Sequence, residues 1–344
     1  MAERTQELGS AAEVRRLACA LAAHHAPVFC DPATGGVRVD DVGDAVDRAL
    51  RESVDAPRAE GRTPAWRAAR AGCRALGFVP RDADCLADAW EASAARRGAF
   101  APDRWPDAPA DFGLPVRPRG GTFPAHPDRT GLYAVLPDAA WVGRMARVGV
   151  PVVQLRFKSE DAVAVAREVR AAVDAVRGTG ALLYVNDHWQ QALDAGAYGI
   201  HLGQEDLDAL PAHAFDRMRS AGLRLGLSTH GYAEMVRAER AGPSYIALGA
   251  VYPTTLKKME TAPQGVARLG AYARLLQAVG TPQVAIGGID ARRLPEALAT
   301  GAGAIAVVRA LVAADSPEAE AEKLQEMCHN FWIGPDADRM NRKP

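Results

Sequence analysis

From Gly131 onward, short apolar runs alternate with amphipathic stretches. The runs are Leu132 to Leu136, Val150 to Leu155, Leu182 to Val185, Gly199 to Leu202, Leu223 to Leu227, Tyr245 to Val251, Val284 to Ile289 and Ala304 to Val308. Each is largely apolar instead of alternating, which suits strands buried on both faces. Helical spacing lies between them, as in Asp161 to Val176 and Leu294 to Thr300. The economical architecture is α/β: a (β/α)8 TIM barrel ending near Ala314, with a further helix from Ser316 to about Cys328. An open doubly wound sheet is the structural alternative. Eight strands and repeated Gly-Ala turns before them count against it.

The pattern before this is different. Ala11 to His24 places Val14, Leu17, Ala18 and Leu21 on one helical face, and Val42 to Leu50, Ala65 to Leu76 and Ala83 to Ala95 read as further helices. Ala101 to Asp128 is rich in Pro, Gly and Asp, and reads as a linker or extended arm. Trp105, Phe112 and Phe123 favour an arm that packs. The chain therefore divides into a mostly helical region with its arm, residues 1–125, and a barrel, residues 126–330. No phosphate loop, GxGxxG or clustered metal ligands occur in the first region, so a structural or interaction role is expected there.

Composition removes several function classes. The 41 basic and 42 acidic residues nearly cancel, without a long run of either sign, which disfavours nucleic-acid and membrane-surface binding. No signal-like N-terminal stretch and no long uncharged apolar segment is seen, so a soluble cytoplasmic protein is expected. Five widely spaced cysteines without a CxxC pair argue against a disulfide framework and a zinc site.

In a barrel, chemistry gathers at the C-terminal strand ends. The stretch from Ala181 to Leu207 reads as strand, helix, strand, so that Asp187 and Asp206 would converge beside Asn186, His201 and Gln204. Two hard carboxylates with room for water suit Mg²⁺; the simpler reading is that each Asp caps a helix. The second strand ends Gln154-Leu155-Arg156-Phe157-Lys158, whose alternation sets an amide and two cations on one side. That trio suits a polyanion, although snorkelling surface cations would look the same. Ser228 and Thr229 follow the fifth strand. Thr254, Thr255, Lys257 and Lys258 follow the sixth, and Gly287-Gly288 and Arg309 end the seventh and eighth, where barrels commonly hold phosphate. Two anion regions, one of them next to a metal pair, point to transfer chemistry involving a diphosphate and a monophosphate.

Together QLRFK, VND, GIHLGQEDL, GLSTH, YIALGAVYPTTLK, APQG, AIGGI and AVVRAL, from Gly131 to Leu311, resemble the thiamine phosphate synthase family. The resemblance implies an Mg²⁺-dependent transferase that joins 4-amino-2-methyl-5-hydroxymethylpyrimidine diphosphate to a thiazole phosphate, or its carboxylated form, giving thiamine phosphate and pyrophosphate. It implies that Gln154, Arg156, Lys158 and Asn186 bind the pyrimidine diphosphate, that Asp187 and Asp206 hold Mg²⁺, and that His201, Ser228 and Lys257 line that pocket. Arg156, Lys158 and Lys257 would stabilise the leaving diphosphate. Thr254, Gly288, Val308 and Arg309 match positions for the thiazole phosphate. Two departures stand on that side: Leu256 replaces a Thr, with Thr255 as a substitute hydroxyl, and Arg309 replaces a Ser. Partners are expected to be these small molecules, with homo-oligomerisation left open. A sibling barrel that tautomerises a thiazole carboxylate phosphate is the nearest rival, and a barrel that only binds thiamine-pathway phosphates is a second.

Overall fold

The computed structural model describes residues 10–30, 41–54, 61–254 and 262–333. Among the described residues four α-helices come first: α1 (Ala11–Phe29), α2 (Val42–Val54), α3 (Pro64–Ala75) and α4 (Pro80–Arg97). Their starts follow from local chemistry. Ser10 and Thr63 accept from Glu13 N and Trp66 N as N-caps, and Pro64 and Pro80 fill first-turn positions where an N–H would have no partner. Gly98 ends α4 in the left-handed region.

The barrel then runs β1 (Gly131–Leu136), α5 (Ala139–Arg147), β2 (Val152–Leu155), α6 (Ala162–Ala175), β3 (Leu182–Asn186), α7 (Trp189–Ala195), β4 (Gly199–Leu202), α8 (Gln204–Ala209), α9 (Ala214–Ser220), β5 (Arg224–Thr229), α10 (Tyr232–Arg240), β6 (Tyr245–Leu248), α11 (Gly265–Val279), β7 (Gln283–Ile286), α12 (Leu294–Ala299), β8 (Ala304–Val307), α13 (Arg309–Val312) and α14 (Pro317–Ile333). All neighbouring strands are parallel, and β8 closes on β1. The expected (β/α)8 barrel is therefore what the chain forms, and the open-sheet alternative is not.

Strand alternation divides the apolar residues between two cores. Tyr133, Val135, Val152, Tyr184, Tyr245, Ala247, Val284, Ala304 and Ala306 fill the barrel interior. Leu132, Ala134, Val153, Leu183, Val185, Ile200, Leu225, Ile246 and Ile305 face the surrounding helices. Both faces are buried, which is why the strands read as unbroken apolar runs. Where the interior ring of Tyr245 crosses β5, it meets Gly226, and a Cβ there would collide with it.

The arm packs as its aromatic residues require. Phe112 and Phe123 are buried, and Trp105 donates its indole N–H to Tyr232 Oη at 2.9 Å. Arg117 N and Phe123 N bond to Val279 O and Gly242 O, each at 2.8 Å, so the arm passes beneath the N-terminal strand ends. Arg117 and Arg119 reach Glu239 Oε1 at 3.0 and 3.1 Å, and Thr281 donates to its Oε2 at 2.7 Å; Glu239 is wholly buried. His126 then enters the barrel floor and lies 3.0 Å from Tyr184 Oη through Nδ1. The cysteines are free, with Cys73 and Cys328 buried and the other three only partly so. Among the described residues no helix is long and apolar enough to cross a membrane.

Candidate active site at the barrel mouth

A cavity of about 700 Å³ opens at the C-terminal ends of the strands. Gln154, Arg156, Lys158, Asn186, Asp187, His201, Asp206, Ser228, Thr254, Gly288, Val308 and Arg309 all line it. Thr255 and Lys257, with Leu256, lie outside the described residues. Gln204, grouped with the acid pair from sequence, instead donates to Ser228 O at 2.7 Å and supports the loop after β5.

Register explains the convergence. Gln154 pairs with Tyr184 across β2 and β3, Asn186 with His201 across β3 and β4, and His201 with Gly226 across β4 and β5. One step beyond β3 the chain takes φ 66° at Asp187, whose N–H donates to His201 O at 3.0 Å. That left-handed conformation is uncommon for a side-chain-bearing residue, and Asp is among those that tolerate it. The helix-cap reading fails for Asp187: α7 begins after His188 and has no side-chain cap. For Asp206 it holds in part, because its Oδ2 accepts from Gly203 N at 3.0 Å from within the first turn of α8.

The two acids are mutual neighbours. Desolvation among the loops, then the charge of Asp206 and a hydrogen bond with it, raise the Asp187 carboxyl from its ordinary value to about 6, while Arg156 pulls the other way. Asp187 keeps an open side towards the cavity, where solvent or a cation can reach it.

Beneath the mouth a chain of hydrogen bonds crosses the barrel. Gln154 Nε2 donates to Tyr133 Oη at 2.9 Å, Tyr133 and Tyr245 hydroxyls are 2.7 Å apart, and Tyr245 Oη is 2.7 Å from His201 Nδ1. His201 Nε2 is 2.8 Å from Ser228 Oγ. Burial, reinforced by Arg156 against the opposing Asp206, lowers His201 to about 4, so its ring is neutral near pH 7. Only one direction leaves no buried hydroxyl hydrogen stranded: Tyr133 donates to Tyr245, Tyr245 to Nδ1, and Nε2–H to Ser228. Ser228 is then left with its own O–H to give to a ligand.

Several lining residues were not singled out as ligands from sequence, His230, Asp290 and Arg293 among them. His230 and Asp290 border the cavity, as does Arg293, which donates to Gly288 O at 2.7 Å and lies over the Tyr252 ring at 4.8 Å. The available signals were the histidine ending Ser-Thr-His and an Arg shortly after the Gly287-Gly288 turn.

The sequence profile described as thiamine monophosphate synthase matches residues 132–311. A protein named thiamine-phosphate synthase from Neisseria meningitidis serogroup B is 48% identical over 213 residues, covering 62% of this chain and 100% of that protein. Another of that name from Salmonella paratyphi B is 48% identical over 203 residues, covering 59% of this chain and 94% of its own length. The solved structure of thiamine phosphate pyrophosphorylase from Pyrococcus furiosus aligns with a TM-score of 0.52 at 26% identity, covering 59% of this chain and 97% of that one. The helical region and its arm precede the matched profile.

Proposed function

We propose, from the premise that the chain belongs to the thiamine monophosphate synthase family and is a transferase of thiamine biosynthesis, a division of labour among the residues of its barrel mouth. One side takes the pyrimidine diphosphate and the other takes the thiazole phosphate. The observation that carries this reading is the sharing of one cavity by the Asp187–Asp206 pair, the cations Arg156 and Lys158, and the residues Gly288, Val308 and Arg309 that follow β7 and β8.

On the first side, Arg156 offers a planar fork and Lys158 a point charge to diphosphate oxygens. Gln154 is fixed by Tyr133, and Ser228 has its hydroxyl hydrogen directed outward by His201. When the carbon–oxygen bond to diphosphate breaks, negative charge grows on the leaving group. Preorganised cations stabilise that charge without having to reorient. The thiazole nitrogen then attacks the pyrimidine methylene carbon, and no strong general base is needed; the neutral, fully committed His201 ring fits a positioning role. On the second side, the Gly288 backbone and Arg309, in the first turn of α13, hold the monophosphate so that the two reacting atoms meet.

The acid pair fits a hard divalent cation. A carboxylate whose proton affinity is raised by burial and by a neighbouring acid, as that of Asp187 is, is relieved by positive charge, and Mg²⁺ characteristically uses one or two carboxylates with water and substrate phosphate as the rest of its shell. Mg²⁺ would supply charge neutralisation of the departing pyrophosphate. The tautomerase rival makes no use of this acid and cation set.

The test incubates the full chain with both substrates and Mg²⁺ and follows pyrophosphate and thiamine phosphate together. Equal, Mg²⁺-dependent amounts of the two products are expected. Binding of both substrates without product would favour the binding-only barrel.

A further inference from the structure

Among the described residues, the helical region reaches the barrel mouth beside the end of β5. Arg81 and Asp82, in the first turn of α4, meet the loop that joins β5 to α10. Arg81 Nη2 lies 2.6 Å from Glu234 Oε1, and the other oxygen of that carboxylate accepts from His230 N at 2.8 Å and lies 2.7 Å from His230 Nδ1. Asp82 Oδ1 accepts from Ala233 N at 2.9 Å, capping α10 from another part of the chain. The fit is close: Asp82 is 3% exposed, and a Cβ on Gly231 would collide with its carboxylate.

We infer that Arg81 and Asp82 are positioning residues for the synthase site, Arg81 acting through Glu234 and Asp82 through the Ala233 amide and its packing on Gly231, to fix the His230 imidazole and the Ser228–Gly231 loop against the diphosphate side of the cavity. Glu234 is the link. Burial alone would raise its carboxyl, but His230 and Arg81 together hold it below its ordinary value, so it is ionised and can only accept. His230 Nδ1 must therefore carry a hydrogen, and Nε2 is the nitrogen left for the cavity that His230 lines. The neighbouring loop residues are held as well, Thr229 by Ala247 O at 3.1 Å and the Ser228 carbonyl by Gln204. The residues of the brace that belong to α4 lie outside the stretch matched by the family profile, so this chain recruits an added region to set one wall of its site.

The inference rests on the synthase reading, and its test separates the two. Arg81 is half exposed, so Arg81→Ala removes the ion pair without opening the core. In the full chain, its KM for the pyrimidine diphosphate is expected to rise about tenfold, with the KM for the thiazole phosphate unchanged, because a misplaced wall on one side costs affinity there alone. Arg81→Lys should restore most of the loss. Asp82→Ala should reproduce it and Asp82→Asn, which still accepts from Ala233 N, should not. Nitrogen-15 spectra of the imidazoles, with His230 assigned from a His230→Asn variant, report the Nδ1–H form independently of turnover. They should show it weakened in Arg81→Ala. Wild-type KM values together with an unaltered His230 spectrum would overturn the inference. If the wild-type chain makes no thiamine phosphate, the synthase reading fails, and the His230 spectrum alone decides whether the brace exists.

Discussion

Among the described residues Asp187 is the one non-glycine with positive φ, and that backbone aims its carboxylate at the mouth. Asn also tolerates this conformation, so Asp187→Asn removes the charge while keeping the turn. The raised proton affinity of Asp187 has a definite sign: the metal-free fold binds the proton more tightly than the unfolded chain, so stability falls as pH rises from the ordinary carboxylate value through about 6. Metal-free Asp187→Asn should therefore melt above wild type at pH 7.5 and alongside it near pH 4. Mg²⁺ should raise the melting temperature of wild type only, and turnover should be lost in the variant. A second residue-scale test concerns Gly226, whose missing side chain leaves room for the Tyr245 ring. Gly226→Ala should cost about 1–3 kcal/mol in urea denaturation. It should also lower turnover, because Tyr245 can no longer hold His201 in place.

Among the elements, the arm contributes His126 to the floor of the barrel. Burial, with Arg224 nearby, lowers His126 to about 4. The unfolded chain thus binds a proton more readily between about 6.5 and 4, and the contribution of His126 to stability is lost as pH falls through that window. His126→Gln should show a smaller drop in melting temperature between pH 7.5 and 5.5 than wild type; an equal drop would show that His126 is not a source of it. The strands were legible because burial on both faces leaves an apolar run with no other explanation. Their ends were less so. The run from Tyr245 to Val251 continues past Leu248, where β6 stops, because the following loop is itself buried and Val251 N bonds to Ile286 O at 3.0 Å. Likewise α1 continues past His24 to Phe29, since His25 is buried against Trp90 and Trp105 instead of marking a polar end. The acid pair and the Gln-Arg-Lys trio were legible because each lies at or just past the end of an apolar run: Gln154 is in β2, Arg156 and Lys158 follow it, Asp187 follows β3 and Asp206 follows β4, so the side-chain alternation expected for the trio extends beyond the strand itself. His230 gains its place from Glu234 and, through it, Arg81, a partner distant in sequence that no spacing announces.

Across the whole molecule, the helical region and the barrel share one continuous core. Phe29, Phe78, Trp90, Trp105, Phe112, Tyr232 and Tyr272 form a chain of ring contacts from α1 to α11, and Arg268 lies 4.2 Å from the Phe78 ring centre while donating to Leu76 O. An apolar, interlocked interface of this kind leaves little independent stability to either side. Calorimetry of the full chain should give a single cooperative transition; two resolved transitions would show that the halves melt separately.

The seam at Glu239 bears on how this protein can be cut. The cations facing that buried carboxylate, Arg117 and Arg119, come from the arm, before the first barrel strand. A recombinant piece begun at residue 126, where the sequence alone suggests a clean boundary, would keep the acid and lose both. An orphaned buried charge costs roughly 3–5 kcal/mol, a large share of what holds a domain together. Expression of the isolated barrel should therefore start upstream of Arg117 or carry Glu239→Gln, whose amide still accepts from Thr281.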